Sequence, residues 1–149
     1  MLTYLLAVLI GVVAGLRAMT APAAVSWAAH LGWLNLDGTW LAFLGFWVTP
    51  YIITVAALAE LVTDQLPGTP SRKVPVQFGV RIVLGGLCGA AIGGAVGLVC
   101  GVIGAVIGTL GGAAVRARLA GAFGSDHPAA LMEDVVAIGG AILIVAWPL

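Results

Sequence analysis

The chain has 149 residues, of which 62% are hydrophobic and 8% charged, and its mean hydropathy is +1.17. Soluble domains carry roughly 25% charged residues, so the composition excludes an ordinary soluble protein and predicts an integral membrane protein. Six basic and six acidic residues cancel, which leaves no basic surface for nucleic acid.

The first predicted membrane span runs from about Leu2 to Thr20 and ends before Pro22. It lacks the positively charged start of a signal peptide, so we expect a retained helix. The apolar residues 23–36 are too few to cross a bilayer comfortably. With Trp27 and Trp33 they are typical of a short interfacial or re-entrant helix.

Three further segments follow in chain order. The second span is predicted over residues 40–66, with Pro50 in its interior. Residues 67–75 contain three prolines and two basic residues and therefore form a polar loop. The last span is predicted over residues 130–147.

The stretch between Arg81 and Arg116 contains 34 residues without a charge. Glycines recur in it with a four-residue period, first at Gly85, Gly89, Gly93, Gly97 and Gly101, then one phase off at Gly104, Gly108 and Gly112. Each run lies on one helical face, where neighbouring helices approach closely. One helix of this length would measure about 50 Å, against a hydrocarbon core of about 30 Å. We therefore predict a glycine-zipper hairpin that turns near residues 97–101.

These segments predict an all-α, polytopic membrane protein with about five transmembrane helices in a single domain, residues 1–149. The glycine stripe can be satisfied by packing within one protomer or by self-association, and we expect a homo-oligomer, a dimer in the simplest case. About 15 kDa of helices cannot enclose a wide pore alone.

The basic residues predict the orientation. They fall in two clusters, one around the loop at residues 67–78 and one after the glycine hairpin. In a five-span arrangement both clusters lie on one face, which the excess of Lys and Arg marks as cytoplasmic. The N-terminus would then be cytoplasmic, and the tryptophans would lie at the external boundary.

Seven charged residues are predicted near this cytoplasmic face: Glu60, Asp64, Arg81, Arg116, Arg118, Glu133 and Asp134. Charges in a membrane are costly unless they are paired or hydrated, so they should converge on one another or on a water-filled vestibule. They are either structural ion pairs that fix helix ends or an ion or proton relay. In the second interpretation Glu60 is the deepest carboxylate and the best candidate to titrate.

Arg17 is predicted on the opposite side, at a depth where no neighbouring carboxylate is expected. Pro50 removes an amide donor and frees the carbonyl of Phe46 at a similar depth. We therefore expect Arg17 to reach this opened backbone, with hydroxyls from Thr20 and Thr49. Broken helices are favoured places for binding sites in membrane proteins.

Two alternatives remain for this region. Arg17 can extend to the external headgroups or pair with Asp37, with Pro50 acting only as a kink. An unpaired Arg17 would favour an anion or a carboxylate-bearing solute.

Catalytic and metal-binding patterns are not found. His30 and His127 have no partner at metal-ligand or triad spacing. The chain has no nucleophile motif, P-loop or dinucleotide fingerprint. We therefore expect no enzymatic activity, no metal and no cofactor.

Several segments resemble a known family. They are GLRAMTAPA (15–23), AELVTDQLP (59–67), TPSRKVP (69–75), RIVLGGLCGAAIGG (81–94) and LMEDVVAIGG (131–140). Together they are similar to the bacterial membrane proteins grouped as domain of unknown function 4126. The resemblance covers nearly the whole chain, although Gln65 replaces the lysine expected after Asp64. It implies a small polytopic helical protein of the bacterial cytoplasmic (inner) membrane, and it carries no activity.

The charged residues and the proline-interrupted span favour a transporter or channel for an ion or small solute. The alternative is a scaffold or assembly factor that packs through its glycine-rich helices. A polar cavity reaching mid-membrane would favour transport, and dry packing with every charge paired at the surface would favour the scaffold.

Overall fold

The computed structural model describes residues 1–148, which are all-helical and contain no strand. The five α-helices are α1 (Leu2–Leu16), α2 (Thr20–His30), α3 (Thr49–Thr63), α4 (Pro75–Phe123) and α5 (Asp126–Ala146). A short 3₁₀ helix, Ala42–Gly45, precedes α3. By length and composition, α4 and α5 are long and apolar enough to cross a membrane, whereas α1 and α3 are apolar but shorter. The helical fold and the apolar helices of the sequence prediction are therefore present.

Helix α4 is a hairpin with a sharp break at Gly93 and Gly94. Gly94 has φ +63° and ψ −145°, a conformation that is essentially restricted to glycine. The break divides α4 into a first arm, residues 75–92, and a second arm, residues 95–123. The predicted hairpin is present, but its predicted turn at residues 97–101 is wrong, because those residues are helical in the second arm.

The glycines of the two arms face each other. A β-carbon on Gly89 would collide with the carbonyl oxygen of Gly97, and one on Gly101 would collide with that of Gly85. The missing side chains therefore let the two backbones touch, which is the advantage of glycine at a helix crossing.

Helix α1 packs into the hairpin in the same way. Gly11 of α1 lies against Gly101, while Gly104 and Gly108 lie against the α1 backbone at Val8 and Val12. Most of the stripe is therefore occupied by the chain's own helices, as in the protomer-internal alternative.

The remaining two stripe glycines show the direction of α1. Gly93, at the hairpin turn, lies beside the ring of Tyr4, and Gly112, far along the second arm, lies beside the side chain of Leu16. Helix α1 thus begins at the end of the molecule that contains the turn, the turn end, and runs to the opposite end. We call the opposite end the charged end, because the arginines of α4 lie there.

Helix α2 returns from the charged end and is buried within the bundle. Ala21, Val25 and Ala28 are almost fully buried. Trp27 Nε1 donates to Thr54 Oγ1 of α3 at 2.9 Å. The segment is therefore not an interfacial helix lying apart from the bundle. Helices α1 and α2 form an antiparallel pair whose tip is at the charged end.

Helix α3 is shorter than the span predicted over residues 40–66. Pro50 lies in the first turn of α3, where its missing N–H has no intrahelical acceptor and a proline is tolerated. The carbonyl of Phe46 accepts the backbone N–H of Thr49 at 3.0 Å. The predicted opening of the backbone by an interior proline is therefore wrong.

The antiparallel α1–α2 pair also changes the relation between the N-terminus and the arginines. The prediction placed both at the same face, but α1 begins at the turn end and the arginine clusters lie at the charged end. The prediction is wrong because residues 20–30 return through the bundle antiparallel to α1, so that the start of α1 lies at the turn end. The exposed Trp33, Trp40 and Trp47 precede α3, at the turn end.

Candidate functional site

The helix break between α1 and α2 lies at the centre of the charged end. Arg17 follows α1 with φ −137° and ψ 112°, which is extended backbone. The break exposes the last carbonyls of α1, at Gly15 and Leu16, and the amides that immediately precede α2, at Ala18 and Met19. Buried backbone groups of this kind need partners, and here charged side chains supply them.

Glu60 of α3 binds the amide side of the break. Its Oε1 accepts the N–H of Ala18 and its Oε2 accepts the N–H of Met19, both at 2.8 Å. A carboxylate is favoured at this position because the first amides of a helix and the helix dipole attract negative charge. Glu60 therefore caps α2 from a different helix.

Three side chains bind the carbonyl side. Arg81 Nη1 donates to the oxygen of Gly15 at 3.0 Å, and Thr109 Oγ1 donates to the same oxygen at 3.4 Å. Arg72 Nη1 donates to the oxygen of Leu16 at 3.5 Å. Residues of both α4 arms and the preceding loop thus hold the end of α1.

Arg17 itself is completely buried and forms ion pairs with two aspartates, Asp64 and Asp134. Asp64 follows α3 and Asp134 belongs to α5, so one guanidinium joins three helices. Gln65 Nε2 donates to Asp134 Oδ2 at 3.2 Å. The lysine expected at position 65 is thus replaced by a neutral donor to a carboxylate that Arg17 already neutralises.

A second layer of ion pairs lies toward the helix ends. Glu133 pairs with Arg72 through both carboxylate oxygens, with Nη2–Oε2 at 2.8 Å, and with Arg116 at 3.4 Å. Arg116 also donates to Asp126 at 2.9 and 2.6 Å and to the carbonyl of Asp64 at 3.3 Å. These pairs connect the loop at residues 64–74 to α4 and α5.

Nine charged side chains form this charged cluster. They are Arg17, Glu60, Asp64, Arg72, Arg81, Arg116, Asp126, Glu133 and Asp134. Asp126 is the most exposed member, with 60% of its side chain accessible. All the others are at most 16% accessible.

Part of the cluster lies well inside the ends of its helices. Arg81 is six residues from the start of α4, or about 9 Å at 1.5 Å per residue, and Asp134 is eight residues from the start of α5, or about 12 Å. The tip of the α1–α2 pair therefore ends well below the rim formed by the other helices.

A solvent-open pocket of about 440 Å³ lies at the charged end, and several members of the charged cluster line it. The loop at residues 66–71 forms one wall, and Arg72, Arg81, Arg116 and Asp64 line the pocket. Guanidinium groups at the base of a hydrated pocket can hold an anion, and the buried carboxylates beside them can exchange a proton or bind a cation. The geometry thus combines polar groups of both signs with a path to water.

The structure brings Glu60, Asp64, Arg81, Glu133 and Asp134 together, as the sequence pattern predicted. It adds Arg17, which was predicted on the other side of the membrane. That prediction is wrong because it assumed one complete crossing before Arg17 and no return by α2. The alternative pairing of Arg17 with Asp37 is excluded by its pairs with Asp64 and Asp134.

The predicted partners of Arg17 lie elsewhere. Thr49 Oγ1 donates to the carbonyl of Phe43 at 2.8 Å, before the start of α3 and far from the charged end. Pro50 is buried there as well. Thr20 is buried in the first turn of α2, close to the break. Of these three residues, only Thr20 is near the site.

Arg116 joins the cluster as predicted, whereas Arg118 is exposed and lies outside it. Sequence reasoning underestimated three residues of the site. Arg72 was used to predict orientation, although its side chain could also pair with the acidic residues. Thr109 carried a signal as the one hydroxyl within a glycine-rich run. Asp126 lies in a polar link and gave no such signal.

Residues 4–149 match the family described as Domain of unknown function (DUF4126), and the chain belongs to that family. No curated protein and no solved structure matches the chain. The family membership agrees with the resemblance found in the sequence segments, and it adds no activity to the site.

Proposed function

We propose that this member of the family is a multi-pass membrane protein that moves an ion or small solute through the charged cluster. The observation that supports this proposal most strongly is the broken α1–α2 backbone, which is held by charged side chains, one of which, Arg81, also lines a solvent-open pocket. Discontinuous helices recur at the substrate sites of secondary transporters, where free backbone groups bind ions and anionic groups.

The depth of the break supports a transport role over a surface role. Irregular backbone within a membrane is tolerated where it is buried in protein or lines a water-filled cavity. Here the break is buried, and Arg81 and Arg72, which bind its carbonyls, also line the pocket. A solute entering from the charged end would meet Arg81 and Asp64 at the base of the pocket.

In the proposed topology, α3, both arms of α4 and α5 cross the bilayer, and α1 and α2 form a re-entrant pair. The charged end faces the cytoplasm because it holds the Lys and Arg residues. The N-terminus then lies on the external side, together with the exposed tryptophans. We place the protein in a bacterial cytoplasmic membrane, as the resemblance implies.

Transport through the charged cluster would require its ion pairs to rearrange. The loop at residues 64–74 contributes Asp64 to the lower layer and Arg72 to the upper layer of ion pairs. Movement of this loop would therefore change both layers together. Exchange of ion-pair partners is a familiar basis for two-state elements in membrane proteins.

The proposal assigns the protein no enzymatic activity and no cofactor. Oligomer formation through the glycine stripe is not part of it, because most stripe glycines contact the chain's own helices. A homo-oligomer would have to use other surfaces, such as the outer face of α5, where Val135 and Leu143 are exposed.

One observation favours the alternative of a non-transport scaffold or assembly factor. Each charged side chain in the cluster has an oppositely charged partner within 4.0 Å, an arrangement that would also stabilise a static bundle. Breaking such buried pairs is costly, so they could serve structure alone. Flux measurements separate the two functions.

The test is a flux screen on purified protein in liposomes, with protons, sodium, chloride, phosphate and small carboxylates as probes. Wild type is compared with Glu60→Gln, which removes the charge that binds the two amides. Arg118→Gln is the matched control, because Arg118 is exposed and lies outside the cluster.

We expect protein-dependent flux of at least one probe that falls at least tenfold in Glu60→Gln and is unchanged in Arg118→Gln. Absence of flux across the whole panel, from folded wild-type protein, would overturn the transport proposal in favour of the scaffold. Equal flux in wild type and Glu60→Gln would show that the α1–α2 break is not part of the transport mechanism.

A further inference from the structure

We propose that the pocket at the charged end is a binding site for a small oxyanion, a carboxylate or a phosphate, with Arg81 as its principal ligand. This inference rests on the proposed function, for which it names the substrate class. The juxtaposition that carries it is a buried arginine with an incompletely bonded guanidinium at the base of a hydrated pocket.

The hydrogen bonds of Arg81 leave one edge of its guanidinium poorly satisfied. Nη1 is occupied by the oxygen of Gly15 at 3.0 Å. Nη2 makes a long contact of 3.4 Å with Glu60, and Nε has no hydrogen-bond partner in the described residues 1–148. Nε and Nη2 together form the fork that binds a carboxylate or phosphate through two parallel hydrogen bonds.

The burial of Arg81 makes this deficit informative. Only 3% of Arg81 is accessible, so bulk water cannot readily satisfy the free donor. Buried polar groups are nearly always hydrogen-bonded, and an exception calls for a missing water or ligand. Arg81 also lines the pocket of about 440 Å³, which has room for a small solute.

Among the residues that line the pocket itself, arginines outnumber carboxylates, whereas the whole charged cluster has four arginines and five carboxylates. Three arginines line the pocket, Arg72, Arg81 and Arg116, against two carboxylates. Those carboxylates already have arginine partners, Asp64 with Arg17 and Asp126 with Arg116. Asp64 therefore offers little free negative charge to a cation, whereas Arg81 has only the long contact with Glu60.

Neutral donors complete the pocket. Thr69, Ser71 and Gln77 line its walls and can donate hydrogen bonds to oxygen atoms. Glu60 shows that the tip itself accepts a carboxylate, since both its oxygens are bound by backbone amides. A bound oxyanion would lie next to this carboxylate and compete with it for Arg81.

The experiment is isothermal titration of the full-length protein in detergent micelles with inorganic phosphate and, separately, with succinate. Wild type is compared with Arg81→Lys, which keeps the positive charge and a donor for Gly15 but loses the two-pronged fork. Gln77→Glu is a second variant, which adds a negative charge to the pocket wall and leaves the bonds of the α1–α2 break unchanged. Arg118→Gln is again the control.

We expect saturable binding of phosphate or succinate to wild type and to Arg118→Gln. Loss of one charge-assisted hydrogen bond should weaken this binding about tenfold in Arg81→Lys. Gln77→Glu should also weaken anion binding. This variant tests the site even if Arg81→Lys fails to fold. The phosphate and succinate titrations distinguish the two kinds of oxyanion.

Absence of binding of both anions to wild type, or unchanged binding in Gln77→Glu, would overturn the inference. Anion binding without any flux would retain this site and contradict the transport proposal. Flux of a cation without anion binding would support transport and overturn the anion site. The two proposals therefore fail independently.

Discussion

Arg17 contributes more to the charged cluster than its single charge would indicate, because its guanidinium joins α1 to two aspartates from other parts of the chain. It is completely buried, and Asp64 and Asp134 have few other partners. Removing the guanidinium would leave two buried carboxylates without a positive partner, which is strongly destabilising.

Arg17→Gln should therefore destabilise the protein by about 3 to 5 kcal/mol, because it leaves two buried carboxylates without their cation. The measurement is chemical or thermal unfolding in detergent. Arg118→Gln removes the same charge from an exposed position and should change stability by about 0.5 kcal/mol or less. Equal stabilities of these two variants would contradict the buried pairing of Arg17.

At the scale of the elements, the glycines of α1 and α4 determine how closely three helices pack. Gly101 has the most demanding position, because it lies between Gly11 of α1 and Gly85 and Gly89 of the first arm. Gly111 lies on the same arm in open space. Gly101 and Gly111 therefore differ in the packing around them, whereas the gain in helix propensity from an alanine is the same at both.

Gly101→Ala should separate the two arms, because its β-carbon meets backbone atoms of Gly85 and Gly89 that cannot move aside. Overpacking of this kind typically costs about 1 to 3 kcal/mol. Gly111→Ala should be neutral or stabilising by up to about 1 kcal/mol, since alanine is the better helix former. Unfolding measurements on both variants test the close packing, and an equal effect of the two changes would exclude it.

Local patterns in the sequence predicted the helices, the hairpin and the convergence of six charged residues. They predicted these features because hydropathy and four-residue spacing are properties of a single helix. They did not predict features that depend on contacts between distant segments, such as the position of the hairpin turn. The turn at Gly94 was one of many glycines that could have adopted a positive φ, and the choice is made by the partners of Gly97 and Gly101.

The error at Arg17 has the same origin. Nothing local in residues 23–36 distinguishes a helix at the membrane surface from one that returns through the bundle. The burial of Val25 and Ala28 depends on α3 and α5, which lie far along the chain. Because α2 was predicted at the membrane surface, Arg17 and Pro50 were predicted on the same side of the membrane. Arg17 was thereby separated from Asp64 and Asp134, with which it pairs in the structure.

At the scale of the whole molecule, the number of passes sets the topology. The α1–α2 pair places the start of α1 and the residues before α3 at the turn end, and the loop at residues 64–74 at the charged end. The excess of basic residues predicts a cytoplasmic charged end. The two ends should therefore react differently with reagents that cannot cross a membrane.

Asp37→Cys and Ser71→Cys test this topology in a background in which Cys88 and Cys100 are replaced by alanine. Both positions are exposed, one at each end. A membrane-impermeant maleimide should label Asp37→Cys in intact cells, and should label Ser71→Cys only after permeabilisation. The opposite pattern would invert the orientation, and labelling of both in intact cells would contradict the two-ended arrangement.

The most direct test of the account measures whether solutes reach the α1–α2 break. Met19 is partly exposed and its amide is bound by Glu60, so a Met19→Cys thiol in the cysteine-free background marks the break itself. The rate of its modification by a small charged thiosulfonate is measured from each side of sealed proteoliposomes, together with flux. We predict reaction from the charged end and loss of flux after modification. No reaction from either side, while Ser71→Cys reacts, would show that the break is sealed and would contradict the account.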